Sequence, residues 1–260
     1  MQDQKIRLDE GFLFGLGAFE TIALEGRPLW LERHLKRLER TLAFLGIPRQ
    51  VTRKEVYEYL ESEKITEGAL KIVVSEKNRL FLPRENPYME TDYEKGFSVD
   101  FAEGRRNEHS PLTYHKTLNY GDCILEKRRA AERGFDEAVF LNSRGEICEG
   151  CVSNLFFVRE GKLVTPKLSC GLLPGIVREV LLERCDVTEE RILAGDIVQF
   201  EECFLTNSLM GVMPVVRFGS HFFKGREMTD QIRNSLKTGL TCKFLRAKIV
   251  RNKTVRTETK

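Results

Sequence analysis

From Leu31 to Leu45 the apolar residues Leu31, Leu35, Leu38, Leu42 and Leu45 recur at three- and four-residue spacing, with Arg and Glu between them. This is the stripe of an amphipathic helix, stopped by Gly46 and Pro48. Thr52 followed by Glu55 has capping-box spacing, which predicts a second helix to about Lys64. Ahead of these, Gly11 to Leu24 opens with glycines among aromatics, ends in an alternating run and meets Glu25-Gly26-Arg27-Pro28. It reads as a loop, a strand and a turn. Residues 70–75 are continuously apolar in character and 97–101 alternate, so both are predicted strands. Between them, residues 82–93 are rich in Pro and Asn and read as a loop or irregular strand.

Gly104 to Pro111 is polar and charged, the composition of an interdomain linker. Beyond it the pattern predicts a helix over 120–133, strands at 137–141 and 154–158, a hairpin turn at 159–162 and a helix over 176–185. Strands at 202–206 and 213–216 follow. The expected organisation is α/β: a small domain at 1–106, a linker at 107–112, a larger domain at 113–242 and a basic tail at 243–260.

A chain of 260 residues, 41% hydrophobic and 31% charged, is long enough for a real core and ordinary for a soluble protein. The first ten residues lack the apolar stretch of a signal peptide, and no run reaches the length of a membrane span. A cytoplasmic protein with no membrane partner is expected. The formal charge of +3 hides an asymmetry, since residues 243–260 carry seven Lys and Arg against Glu258. The rest holds 35 basic and 38 acidic residues, or −3, which gives no case for a nucleic-acid partner. The tail itself reads as a solvated extension. Seven scattered cysteines read as reduced thiols, and Cys148-x-x-Cys151 lacks the second pair or His cluster of a zinc site.

Three segments carry candidate chemistry. Lys116 lies in Tyr114-His115-Lys116-Thr117-Leu118-Asn119-Tyr120, at the linker's edge. Glu149 opens Glu149-Gly150-Cys151-Val152-Ser153-Asn154, a loop between a turn and a strand. Gly175 precedes a helix start at Ile176 and Val177. An amine, an acid and free helix N–H groups, in this order, are what pyridoxal phosphate needs for its aldehyde, ring nitrogen and phosphate. Singly, each has a plainer reading. Lys116 and Glu149 would be solvated, Arg37 would cover a helix face instead of forking onto phosphate, and Asn207 and Ser208 would end a strand. Phe12, Phe14, Phe19 and Thr21 are either pocket-lining or core. Arg105, Arg106 and Lys71 either bind substrate carboxylates or meet solvent.

Together, the order Phe14-Gly15…Phe19-Glu20-Thr21, His34-Leu35-Lys36-Arg37-Leu38, Lys116, Glu149-Gly150…Ser153-Asn154, Leu173-Pro174-Gly175-Ile176 and Thr206-Asn207-Ser208 resembles the class IV aminotransferase family of fold-type IV pyridoxal-phosphate enzymes. The resemblance covers roughly residues 10 to 220. It implies a small N-terminal α/β domain, a larger C-terminal pseudo-barrel domain, pyridoxal 5'-phosphate between them and a homodimer acting on a small-molecule substrate. By match of motif it makes Lys116 the Schiff-base lysine and Glu149 the ring-nitrogen partner. Arg37 becomes a phosphate ligand with the Ile176 and Val177 amides, and Asn154, Asn207 and Ser208 complete the cofactor-binding set.

Within the family, His115–Tyr120 and Thr206–Val215 look most like the aminodeoxychorismate lyase branch, with Lys-Thr-Leu-Asn and Asn-x-Leu-Met-x-x-Met-Pro-Val. Glu76 stands where a D-amino-acid aminotransferase carries a carboxylate-trapping Arg, and an acid there would repel an α-carboxylate. The implied activity is release of pyruvate and 4-aminobenzoate for folate synthesis, with Lys116 moving the proton. The alternatives are a branched-chain or other aminotransferase on the same site, and a catalytically silent binding protein that keeps the fold.

Overall fold

A computed structural model describes residues 5–238 of the chain. The basic tail expected at 243–260 lies outside the described residues. The chain divides into two compact units. One takes the described residues up to Tyr88 together with Ser110–Asp122, and the other takes Met89–His109 together with the described residues from Cys123 onward.

The first unit begins with helix α1 (Glu10–Phe14), where the sequence predicts a loop. Its existence rests on long-range polar contacts that periodicity does not register. Asp9 caps it by accepting from Phe12 N at 3.1 Å, and the other Asp9 oxygen accepts from Ser75 Oγ, Lys77 N and Asn78 Nδ2 at 2.6, 2.8 and 2.9 Å. Strand β1 (Gly17–Glu25), helix α2 (Leu31–Phe44), helix α3 (Arg53–Ser62) and strand β2 (Glu67–Ser75) follow as predicted, with bounds shifted by a few residues. The capping box forms: Thr52 accepts from Glu55 N and Thr52 N donates to Glu55.

Residues 79–84 form strand β3 (Arg79–Arg84), which the Pro-rich composition hides. Pro83 is tolerated because β3 is an edge strand of the antiparallel sheet β1-β2-β3. One face of that sheet, with Ala18, Ile22, Leu24, Leu70, Ile72 and Val74, packs on Leu31, Leu38 and Leu42 of α2 and Val56 and Leu60 of α3. This buried stripe is the core of the unit, and the helical spacing of the leucines exists to meet it.

In the second unit, helix α4 (Glu90–Lys95) occupies part of the stretch read as loop, and strand β4 (Phe97–Arg105) follows. Helix α5 (Gly121–Glu132) spans the later boundary between the units. Strands β5 (Glu137–Leu141), β6 (Ile147–Gly150), β7 (Asn154–Arg159) and β8 (Lys162–Pro166) come next. Helix α6 (Ile176–Arg184) leads to β9 (Val187–Glu190), β10 (Glu202–Asn207), β11 (Gly211–Phe218), β12 (His221–Phe222) and helix α7 (Glu227–Thr238). These strands form one mixed sheet in the order β6-β5-β4-β11-β10-β7-β8-β9, with β12 on β11. Strand β4, before the predicted linker, therefore sits inside this larger sheet, paired in parallel with both β5 and β11. No helix among the described residues is long and apolar enough to cross a membrane.

Cys123, Cys148, Cys151, Cys170 and Cys203 are buried free thiols. Cys185 departs from the expectation of reduced thiols, being disulfide-bonded.

Candidate active site

Lys116 is held by backbone. Phe19 N donates to Lys116 O at 3.0 Å and Leu118 N to Gly17 O at 2.8 Å, with an antiparallel bridge between Ala18 and Thr117. The segment thus extends the small sheet along the free edge of β1, which fixes the direction of each side chain. Lys116 Nζ lies 4.5 Å from the Phe19 ring centroid and 5.4 Å from that of Tyr120, and these two rings meet edge to face. Asn119 Nδ2 reaches back to Gly15 O at 3.0 Å. Gly15 has φ 73°, and a Cβ there would press on the Asn119 side chain, so both its conformation and its neighbour require glycine. His115 stacks on Phe44 with centroids 4.0 Å apart.

The same face of the sheet carries Thr21 and Lys71, which are register partners. Lys71 Nζ lies 4.8 Å from the Phe19 centroid. Burial, with Arg84 adding to it, pushes the Lys71 pKa down. Of the pocket candidates, Phe19 is buried and Thr21 half-buried, both beside these amines, whereas Phe12 and Phe14 are exposed on α1.

On the opposite face Glu20, a strand residue flanked by apolar neighbours, meets His34 and Arg37 from α2. Arg37 Nε and Nη2 fork onto the two Glu20 oxygens at 2.7 Å each, and His34 Nδ1 lies 2.7 Å from Glu20 Oε2. The three are at most 5% exposed. Burial works to raise the Glu20 carboxyl, but Arg37 and His34 outweigh it and hold it at about 2. For His34 burial prevails over the carboxylate and pushes the imidazole down, which keeps it neutral at pH 7. Arg37 therefore neither covers a helix face nor meets solvent: it is buried against a carboxylate.

In the second unit Glu149 is a strand residue of β6 rather than part of a loop, and it is 4% exposed. Its Oε1 accepts from Arg106 Nε at 2.9 Å and Nη2 at 2.6 Å, while Oε2 accepts from Leu173 N at 2.9 Å. The Arg106 guanidinium lies over the Phe140 ring, 4.5 Å to its centroid, with Nη2 3.2 Å from Cys123 Sγ. Burial disfavours its charge, but Glu149 and Cys123 outweigh that and push its pKa up. Arg106 thus binds Glu149 rather than solvating a linker, a role with no mark in the local sequence.

Asn154 Nδ2 donates to Leu173 O at 2.9 Å, tying the start of β7 to the segment that enters α6. A Cβ on Gly175 would strike Asn154 Oδ1. Gly175 is the N-cap of α6 and supplies no side-chain cap, and the amides of Ile176 and Val177, in the first turn, have no acceptor within the helix. Asn207 Oδ1 accepts from Leu209 N and Met210 N at 2.9 and 2.8 Å, and its Nδ2 donates to Val152 O at 3.2 Å. Asn207 shapes a turn that presents half-buried Ser208. Beside it Thr206 Oγ1 is buried with no hydrogen-bond partner among the described residues.

The family model of class IV amino-transferases matches residues 17–218. A Thermotoga maritima protein named "Probable branched-chain-amino-acid aminotransferase" is 29% identical over 215 residues, covering 79% of this chain and 78% of that protein. An aminodeoxychorismate lyase of Bacillus subtilis is 26% identical over 236 residues, covering 80% of each. The crystal structure of 4-amino-4-deoxychorismate lyase from Pseudomonas aeruginosa superposes with a TM-score of 0.78 at 26% identity, covering 90% of this chain and 96% of that one. A match that spans most of the chain, on the fold-type IV architecture, carries one conclusion: this chain belongs to the class IV aminotransferase family.

Proposed function

We propose that this chain cleaves 4-amino-4-deoxychorismate to 4-aminobenzoate and pyruvate, supplying 4-aminobenzoate for folate synthesis as a cytoplasmic homodimer. Enzymes of its family depend on pyridoxal phosphate. The residues present fit that group: a half-buried amine at Lys116, a buried carboxylate at Glu149, the start of α6 without a side-chain cap, and the Thr206 hydroxyl, buried with no hydrogen-bond partner among the described residues. Lys116 would hold the cofactor covalently, Glu149 would meet its ring nitrogen, and Arg37 with the Ile176 and Val177 amides would take its phosphate. Asn154, Asn207 and Ser208 would complete the cofactor-binding set. When bound, the cofactor supplies an electron sink for the substrate's reacting carbon.

Lys116 Nζ takes the proton from the amine-bearing ring carbon of the substrate and returns it to the methylene carbon of the departing enolpyruvyl group, which leaves as pyruvate. The observation that carries the lyase reading is the pairing of Lys71 and Lys116 on the one Phe19 ring. A second cation beside an aromatic wall suits a cyclic substrate with two carboxylates better than a branched aliphatic side chain. The lyase-like segments around Lys116 and Asn207 support the same choice.

The test is pyruvate release from aminodeoxychorismate generated in situ, with Lys116→Ala as the control. Pyruvate from the wild type alone supports the lyase. No pyruvate, with amino-group transfer from L- or D-amino acids to a keto acid, replaces it with the aminotransferase reading, which the Thermotoga maritima relative favours.

A further inference from the structure

We infer that Asn154 is the positioning residue that sets the first turn of α6 for the cofactor's phosphate group. The inference rests on the reading of the Ile176 and Val177 amides as phosphate ligands and adds the device that fixes where they point. Asn154 opens β7 and is 5% exposed. Its Nδ2 donates to Leu173 O at 2.9 Å, and its Oδ1 lies against Gly175, where a Cβ would strike it. One side chain therefore spans Leu173-Pro174-Gly175, the segment that delivers the chain to the helix. Leu173 N donates in turn to Glu149 Oε2 at 2.9 Å, so both backbone polar groups of this one residue are held, by side chains from β6 and β7. Between the held points Pro174 has its φ fixed by its ring, which leaves the segment little freedom. From the third residue of the helix, Arg178 Nη2 donates to Pro166 O at 3.0 Å and ties the same turn to the end of β8.

The glycine is there for space. Gly175 has φ −76° and ψ 146°, an extended backbone that any residue adopts, so it is the Asn154 side chain and not conformation that requires it. What the turn waits for is marked by Thr206, the register partner of Asn154 on β10. Directly opposed residues project to the same face of a sheet, so the Thr206 side chain lies on the face where Asn154 meets the entrance to α6. Its Oγ1 is buried there with no hydrogen-bond partner among the described residues. A helix start and a buried hydroxyl that lacks an acceptor, on one face, are completed together by an oxyanion.

The test is the ratio of dissociation constants for pyridoxal phosphate and for pyridoxal, which lacks the phosphate, measured by absorbance on folded apoprotein. Wild type is compared with Asn154→Ala, Gly175→Ala and the double variant. Gly175→Ala displaces the Asn154 side chain with its chemistry intact, so each single variant carries the test if the other does not fold, and Asn154→Ser stands in for Asn154→Ala.

The preference for the phosphorylated form is expected to fall roughly 10- to 100-fold in either single variant, with pyridoxal binding unchanged. The double variant should be no worse than Asn154→Ala, because the added Cβ then has nothing to strike. A wild type that binds both compounds equally removes the reading of α6 as the phosphate site, and the inference with it. A wild-type preference that persists in the single variants overturns the positioning role and leaves Ile176 and Val177 as the phosphate ligands. Equal weakening of both compounds marks a merely structural role, and additive losses in the double variant mark two independent effects; either overturns the inference.

Discussion

Arg106 donates twice to one oxygen of Glu149, from Nε at 2.9 Å and Nη2 at 2.6 Å, while the second oxygen is held by Leu173 N. The pair is largely buried. Removing one partner leaves the other as an unpaired buried charge, which costs about 3–5 kcal/mol. Arg106→Met is therefore expected to lower unfolding free energy by about that amount. The double variant with Glu149→Gln should recover a large part of it, and urea denaturation of the four proteins measures the coupling. Additive losses would show that the two side chains act independently.

Lys71 is expected to bind a substrate carboxylate. Lys71→Met keeps the apolar stem against Phe19 and removes the charge. We expect KM for the substrate to rise roughly 10-fold or more with kcat within a few-fold of wild type, as for an interaction equal in ground and transition states. Steady-state kinetics decide it: a fall in kcat at constant KM would move Lys71 into the chemical step.

Acid stability should depend on two buried carboxylates of the first unit. Glu20 is held at about 2 against an ordinary 4.5, because Arg37 and His34 outweigh the upward effect of burial. Asp9 is lowered from 3.8 to about 2, since its bonds from Ser75, Lys77, Phe12 and Asn78 likewise outweigh burial. A depressed carboxyl contributes stability that is fully present above its unfolded pKa and is lost as pH falls through the folded value. The loss should run from about pH 4.5 down to about 2. Glu20→Gln should start less stable at pH 7 and show a shallower decline over that window, read from urea midpoints at successive pH values. A decline as steep as that of the wild type would contradict the assignment.

Four thiols should be inert in the folded protein. Burial pushes Cys148, Cys151, Cys170 and Cys203 up, Cys170 to about 11. Their thiolate fraction at pH 8 is small and their access blocked. Iodoacetamide labelling at pH 8 with mass-spectrometric readout should find these four unmodified in the native state and modified in denaturant. Rapid native labelling of any one would place it in an opening segment.

The sequence by itself determined the local structure wherever a periodic pattern had to meet a core. The leucines of α2, the Thr52–Glu55 capping box and the strands at 137–141 and 154–158 were legible because each depends on neighbours within a few residues. The order of Lys116, Glu149 and the glycine before α6 carries a resemblance that holds at the level of the family. What only the tertiary structure decided lies in contacts between distant positions. Helix α1 stands on Asp9 reaching Ser75, Lys77 and Asn78. Strand β4 joins the larger sheet through β5 and β11, both far along the chain. Glu149 finds Arg106 forty-three residues away, and Glu20 finds Arg37 across the interface of strand and helix. Burial turns each of these charged side chains from a solvated group into half of a pair, and no local pattern in the sequence records which half belongs to which.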